Sequence, residues 1–170
     1  MVTSEVPSLL DLEGMIQIFT APHRSFFTNV VAQAIRTAAQ GKSTLLIQFL
    51  KGGIGTGKDR PVQLCQHLTW IRCPLAQCVQ SSEVGLEDRD KILELWDFAK
   101  ASILSDEYST VILDELSLAM ELNLIPEADC LTLLEDRPKR LDLILTGPNM
   151  PDAILNAADQ VTELRRSLYI

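Results

Sequence analysis

The chain has 170 residues, 46% of them hydrophobic and 22% charged. That is the size and composition of one ordinary globular domain, and it excludes disordered, collagen-like and disulfide-scaffold classes. Fifteen Lys and Arg against 23 Asp and Glu give a formal charge of −8, which repels phosphate backbones and anionic lipid and argues against nucleic-acid and membrane partners.

Residues 1–13 read as a polar N-terminal arm with a small apolar element at Leu9 and Leu10, and residues 14–170 as a single α/β domain. The apolar run 15–19 predicts a strand, followed by a turn over 20–25. Phe27, Val30, Val31, Ala34, Ile35 and Ala38 recur at three and four and predict a helix over 26–39. Ser25 is its candidate N-cap and Gly41 its C-terminal stop. Residues 43–50 are nearly all apolar, the pattern of a strand covered on both faces. A glycine-rich loop follows over 51–58, then a short helix at most over 61–68 and a third strand over 68–72. The stretch 73–86 is irregular. A strong amphipathic helix spans 86–104, with Ile92, Leu95, Trp96, Ala99 and Ile103 on one side. Residues 111–113 form a strand ending in Asp114 and Glu115, with helices over 116–122 and 127–134. A strand over 141–145, a helix over 151–158 and a final strand over 161–164 complete the pattern. Strands alternating with helices imply a mainly parallel sheet with helices on both faces.

No apolar run is long enough to span a bilayer and no charged-then-apolar leader is present, so the expected location is cytoplasmic. Cys65, His67, Cys73 and Cys78 crowd one stretch, yet their spacing matches none of the common zinc patterns. Reduced, buried apolar thiols are the reading for these and for Cys130, and no metal is expected.

Five segments carry a family resemblance. They are TLLIQFLKG from Thr44, WDFAKASILSDEY from Trp96, VILDE from Val111, LTGPN from Leu145 and AADQVTELR from Ala157. Between residues 15 and 165 the sequence resembles the P-loop ATP:corrinoid adenosyltransferases, which adenosylate cob(I)alamin. The resemblance implies a P-loop NTPase (RecA-like) α/β fold, and ATP, magnesium and a corrinoid as the ligands of an active member.

The phosphate loop departs from that family. Where members resemble T-G-x-G-K-G-K-T-T, this chain reads Thr20, Ala21, Pro22, His23, Arg24, Ser25, Phe26, Phe27 and Thr28. A P-loop points successive backbone N–H groups at the phosphates, adds a lysine charge and holds magnesium by a hydroxyl. Ala21, His23 and Ser25 replace glycines, and Pro22 has no N–H. Phe26 replaces the lysine and Phe27 the hydroxyl. Arg24 and Thr28 could rescue a weak anion site. Loss of the lysine alone removes about 1.5–3 kcal/mol.

Gly52 to Lys58 matches G-x-x-x-x-G-K, but Asp59 stands where Ser or Thr is required. It reads as a flexible glycine loop or, alternatively, a relocated phosphate site. Asp114 and Glu115 hold the Walker-B position, either as a residual metal site or as caps of the following helix. Phe26 and Phe27 are candidates for a protein-contact patch, or are buried against the arm at Leu9 and Leu10.

These features describe a corrinoid adenosyltransferase-like protein with abandoned chemistry. It needs no cofactor and serves as a protein-interaction or regulatory subunit, with an unidentified protein partner or a second copy in a homodimer. The alternative is an active adenosyltransferase with an atypical nucleotide site, or a binder of corrinoid without ATP.

Overall fold

The computed structural model describes residues 12–24, 28–53 and 55–167. Seven strands form one sheet: β1 Ile16–Ala21, β2 Thr44–Gln48, β3 Val62–Cys65, β4 Leu68–Arg72, β5 Thr110–Asp114, β6 Asp142–Pro148 and β7 Gln160–Glu163. Their spatial order is β3-β4-β2-β5-β6-β1-β7. Every pairing is parallel except β3 with β4. The helices are α1 Thr28–Ala39, α2 Leu86–Leu104, α3 Leu116–Glu121, α4 Glu127–Asp136 and α5 Asp152–Asn156.

Alternation along the strands decides which helix each residue meets. Leu45 and Ile47 of β2, with Val111 and Leu113 of β5, join the larger core under α2, α3, α4 and α5. Leu46, Ile112 and Ile144 point the other way, into a smaller core closed by Val30, Ala34 and Ala38 of α1. All five residues of β2 and of β5 are buried, as an almost unbroken apolar run requires. The α2 stripe is buried as its period predicts.

Three expectations need correction. Residues 61–68 contain no helix; β3 and β4 form an antiparallel hairpin whose turn places His67 at φ 68°. The sequence signal was hidden because the turn carries no Gly, Asn or Asp, the usual residues for a left-handed backbone. Strands and helices therefore do not alternate between β2 and β4. Ile35 of α1 is 46% exposed rather than in the core. Among the cysteines, Cys73 and Cys130 are buried, but Cys65 is half-buried and Cys78 exposed. Burial pushes the Cys73 and Cys130 thiols up to about 12.

Gly41 ends α1 at φ 84°, as its reading as a helix stop requires. No helix among the described residues is long and apolar enough to cross a membrane. The N-terminal element at Leu9 and Leu10 lies outside the described residues.

Candidate functional site

In a parallel sheet the carboxyl ends of the strands, with their loops, make the crevice where ligands are held. Here β1, β2, β5 and β6 end at Ala21, Gln48, Asp114 and Pro148, and the loops that follow them converge there. Register places Gln48 of β2 beside Asp114 of β5, and Thr20 of β1 beside Gly147 of β6.

Asp114 closes β5 with its carboxylate 4% exposed and fully engaged. Oδ2 accepts from Gln48 Nε2 at 2.9 Å and from Lys51 Nζ at 2.5 Å. Oδ1 accepts from Thr146 Oγ1 at 2.7 Å. Thr146 Oγ1 in turn accepts from the Glu115 backbone N–H at 2.9 Å. On the other side Gln48 Oε1 accepts from Trp70 Nε1 at 2.9 Å and from Arg72 Nε at 3.0 Å. The Arg72 guanidinium also stacks 5.0 Å from the Trp70 ring centre and donates to Gly52 O at 3.2 Å. A polar ladder thus runs over β4, β2, β5 and β6, with every partner provided by the chain itself.

Glu115 leaves the strand at φ 60°, ψ 27°, a left-handed conformation that a non-glycine residue adopts at a cost of about 1–3 kcal/mol. That turn aims its carboxylate across the mouth toward the segment after β1. Its side chain is 1% exposed and is met by Arg24 in a two-pronged pair. Arg24 Nε donates to Oε1 at 2.7 Å and NH2 to Oε2 at 2.9 Å. Arg24 NH1 donates to Val79 O at 2.6 Å, and NH2 also donates to Cys78 Sγ at 3.2 Å. The hydrogen bond to Glu115 raises the Arg24 pKa above its ordinary value. Such bidentate pairing is the strongest form of carboxylate neutralisation available to a side chain.

The reading of Asp114 and Glu115 as caps of the following helix is corrected here. α3 starts with no side-chain cap bond, and both carboxylates face the mouth and hold cations. A buried carboxylate without a cation would carry a large desolvation cost, which outweighs the smaller gain of capping a six-residue helix.

The rest of the phosphate-loop segment divides. Ala21 is buried and its carbonyl accepts from Asn149 N at 3.1 Å; Pro22 and His23 are exposed. Thr20 Oγ1 donates to Gly147 O at 2.8 Å and ties the end of β1 to β6. Thr28 is the first residue of α1. Ser25, Phe26 and Phe27 lie outside the described residues, and with them the N-cap and contact-patch readings. The glycine loop 52–58 leads into β3 and not into a helix, so it lacks the strand–loop–helix order of a phosphate loop. Lys58 Nζ lies 3.2 Å from Asp59, a surface pair. Among the described residues no three of His, Cys, Asp and Glu gather as a metal-holding group.

Residues 12–168 match the model of the family described as ATP:corrinoid adenosyltransferase BtuR/CobO/CobP. The chain belongs to this family. It is similar to a corrinoid adenosyltransferase of Escherichia coli strain K12, 26% identical over 164 residues, which cover 96% of this chain and 83% of that protein. A corrinoid adenosyltransferase of a Sinorhizobium species is 27% identical over 166 residues, 91% of this chain and 73% of that one. The corrinoid adenosyltransferase CobA of Salmonella typhimurium is 24% identical over 164 residues, again 96% and 83%.

For this member of the corrinoid adenosyltransferases, reading the chain alone singled out Arg24, Asp114 and Glu115 but missed their partners. Gln48, Lys51, Trp70, Arg72 and Thr146 were not singled out as site residues. A usable signal existed. Gln48 and Thr146 are polar residues near the carboxyl ends of the mainly apolar runs 44–50 and 141–146, where the strands open onto the crevice.

Proposed function

We propose that this chain is a corrinoid adenosyltransferase-family protein of P-loop fold that has lost ATP binding and adenosyl transfer and acts as a protein-interaction or regulatory subunit. The observation that carries the reading is the internal neutralisation of both carboxylates at the end of β5, by Lys51 for Asp114 and by Arg24 for Glu115. A magnesium triphosphate needs those oxygens open, and it needs backbone donors and a cation in the loop after β1. Pro22 has no donor, Phe26 and Phe27 provide neither charge nor hydroxyl, and Arg24 is spent on Glu115, Val79 and Cys78. The residues present therefore do not fit the nucleotide. The partner is a protein, a second copy of the chain included. Phe26 and Phe27 remain contact candidates, and the cytoplasm is the compartment we assign.

The relatives named as corrinoid adenosyltransferases, aligned over nearly the whole chain, favour a second reading in which transfer persists with an atypical nucleotide site. Calorimetric titration with Mg-ATP separates the two. The first reading expects no saturable heat in the micromolar range, and micromolar binding overturns it. A spectral change on mixing with a corrinoid in the absence of ATP would support retained corrinoid binding alone. Restoring the loop by Ala21→Gly, Ser25→Gly, Phe26→Lys and Phe27→Thr is expected to regain some nucleotide binding, read by the same titration.

A further inference from the structure

A cavity of about 320 Å³ lies between the loop 55–60 and the first half of α2, with Pro74 and Leu95 as its apolar lining. Its volume is at the small end for ligand sites, which run from about 300 to 1,000 Å³. The polar groups around it are of three kinds. Lys58 is held by Asp59, and Lys91 by Glu87 at 2.7 Å and Asp88 at 3.4 Å, so both ammonium groups are already paired. Arg60 and Glu94 also line the cavity, and neither is in an ion pair among the described residues. Thr56 Oγ1 is shut off from solvent and has no hydrogen-bond partner. Sealed from solvent, that hydroxyl lies behind the lining and offers no contact to an occupant of the cavity.

One cation and one anion outside any ion pair among the described residues, beside an apolar wall, are the contacts of a small zwitterion with an apolar body. We propose that this cavity binds a free hydrophobic amino acid or a close analogue, its carboxylate on Arg60, its ammonium on Glu94 and its side chain on Pro74 and Leu95. A simple organic anion would meet the repulsion of Glu94, and a simple amine that of Arg60. The site uses none of the residues of the β5 crevice and stands whether or not nucleotide binding persists.

The test is an amide chemical-shift titration of the intact chain with L-phenylalanine. Saturable shifts confined to residues 55–60, 73, 75 and 91–95 are expected. Arg60→Gln is expected to weaken phenylalanine binding about fivefold, the scale of one solvent-screened ion pair. Glu94→Gln is expected to weaken phenylalanine by a similar factor while leaving 3-phenylpropionate, which lacks the amine, unweakened. Both positions are exposed, and the amide spectrum itself reports that the variants fold. Absence of saturation, shifts centred on residues 21–24 and 114–116, or wild-type affinity in both variants would each overturn the proposal.

Discussion

Arg24 and Glu115 form the pair on which the site turns, because one partner is almost wholly buried and the other reaches it from a different strand end. Removing a single partner of a buried pair leaves an uncompensated charge and costs about 3–5 kcal/mol. Arg24→Ala is therefore expected to lower stability by about that amount in urea unfolding. Glu115→Gln with Arg24→Ala is expected to recover most of the loss, since no buried charge then remains. Equal losses in the single and double variants would show that Glu115 takes up another cation. At Asp114 three donors share the carboxylate, and Thr146 is the one that also receives the Glu115 N–H. Thr146→Val removes two bonds of this ladder at nearly constant volume, with an expected loss of about 2–4 kcal/mol by the same measurement.

At the scale of elements, α3 is fixed to the end of β6 by close backbone approach. Gly147 sits at φ 142°, where a Cβ would come within 2.1 Å of Ser117 Oγ, and Ser117 Oγ donates to Pro148 O at 2.6 Å. Gly147→Ala is expected to cost more than about 2 kcal/mol through strain and displacement of α3, read as a fall in thermal midpoint. Ser117→Ala added to it should return part of the loss, as the nearest clashing atom is then gone. The β3–β4 hairpin shows the limit of element prediction. The run 68–72 was legible as a strand, but its partner over 62–65 was not, because β3 lies at the sheet edge and is half-buried to exposed. The helix over 86–104 was legible in full because a buried stripe at period 3.6 leaves little ambiguity over nineteen residues.

For the molecule as a whole, the two buried thiols contribute to how stability responds to alkali. Cys73 and Cys130 hold their protons up to about 12 in the fold, against an ordinary value of 9.0. A folded-state pKa raised above the unfolded one stabilises fully below 9.0, and that stability is lost as pH rises toward 12. Between those values each thiol is expected to lower unfolding free energy by about 1.4 kcal/mol per pH unit. Cys130→Val is expected to remove one thiol's share of that slope in urea unfolding followed against pH, and an unchanged slope would show that other groups govern the alkaline limb. Composition, period and alternation determined the order of nearly all elements and the residues of the main core, because burial imposes a pattern that each segment displays by itself. The glycine, aromatic and proline substitutions in the loop after β1 were equally visible along the chain. What only tertiary structure decided is who neutralises whom. Arg24 meets Glu115 across 91 positions and Lys51 meets Asp114 across 63. Pairing at such separations depends on which strand ends the sheet brings together, and no local periodicity carries that information.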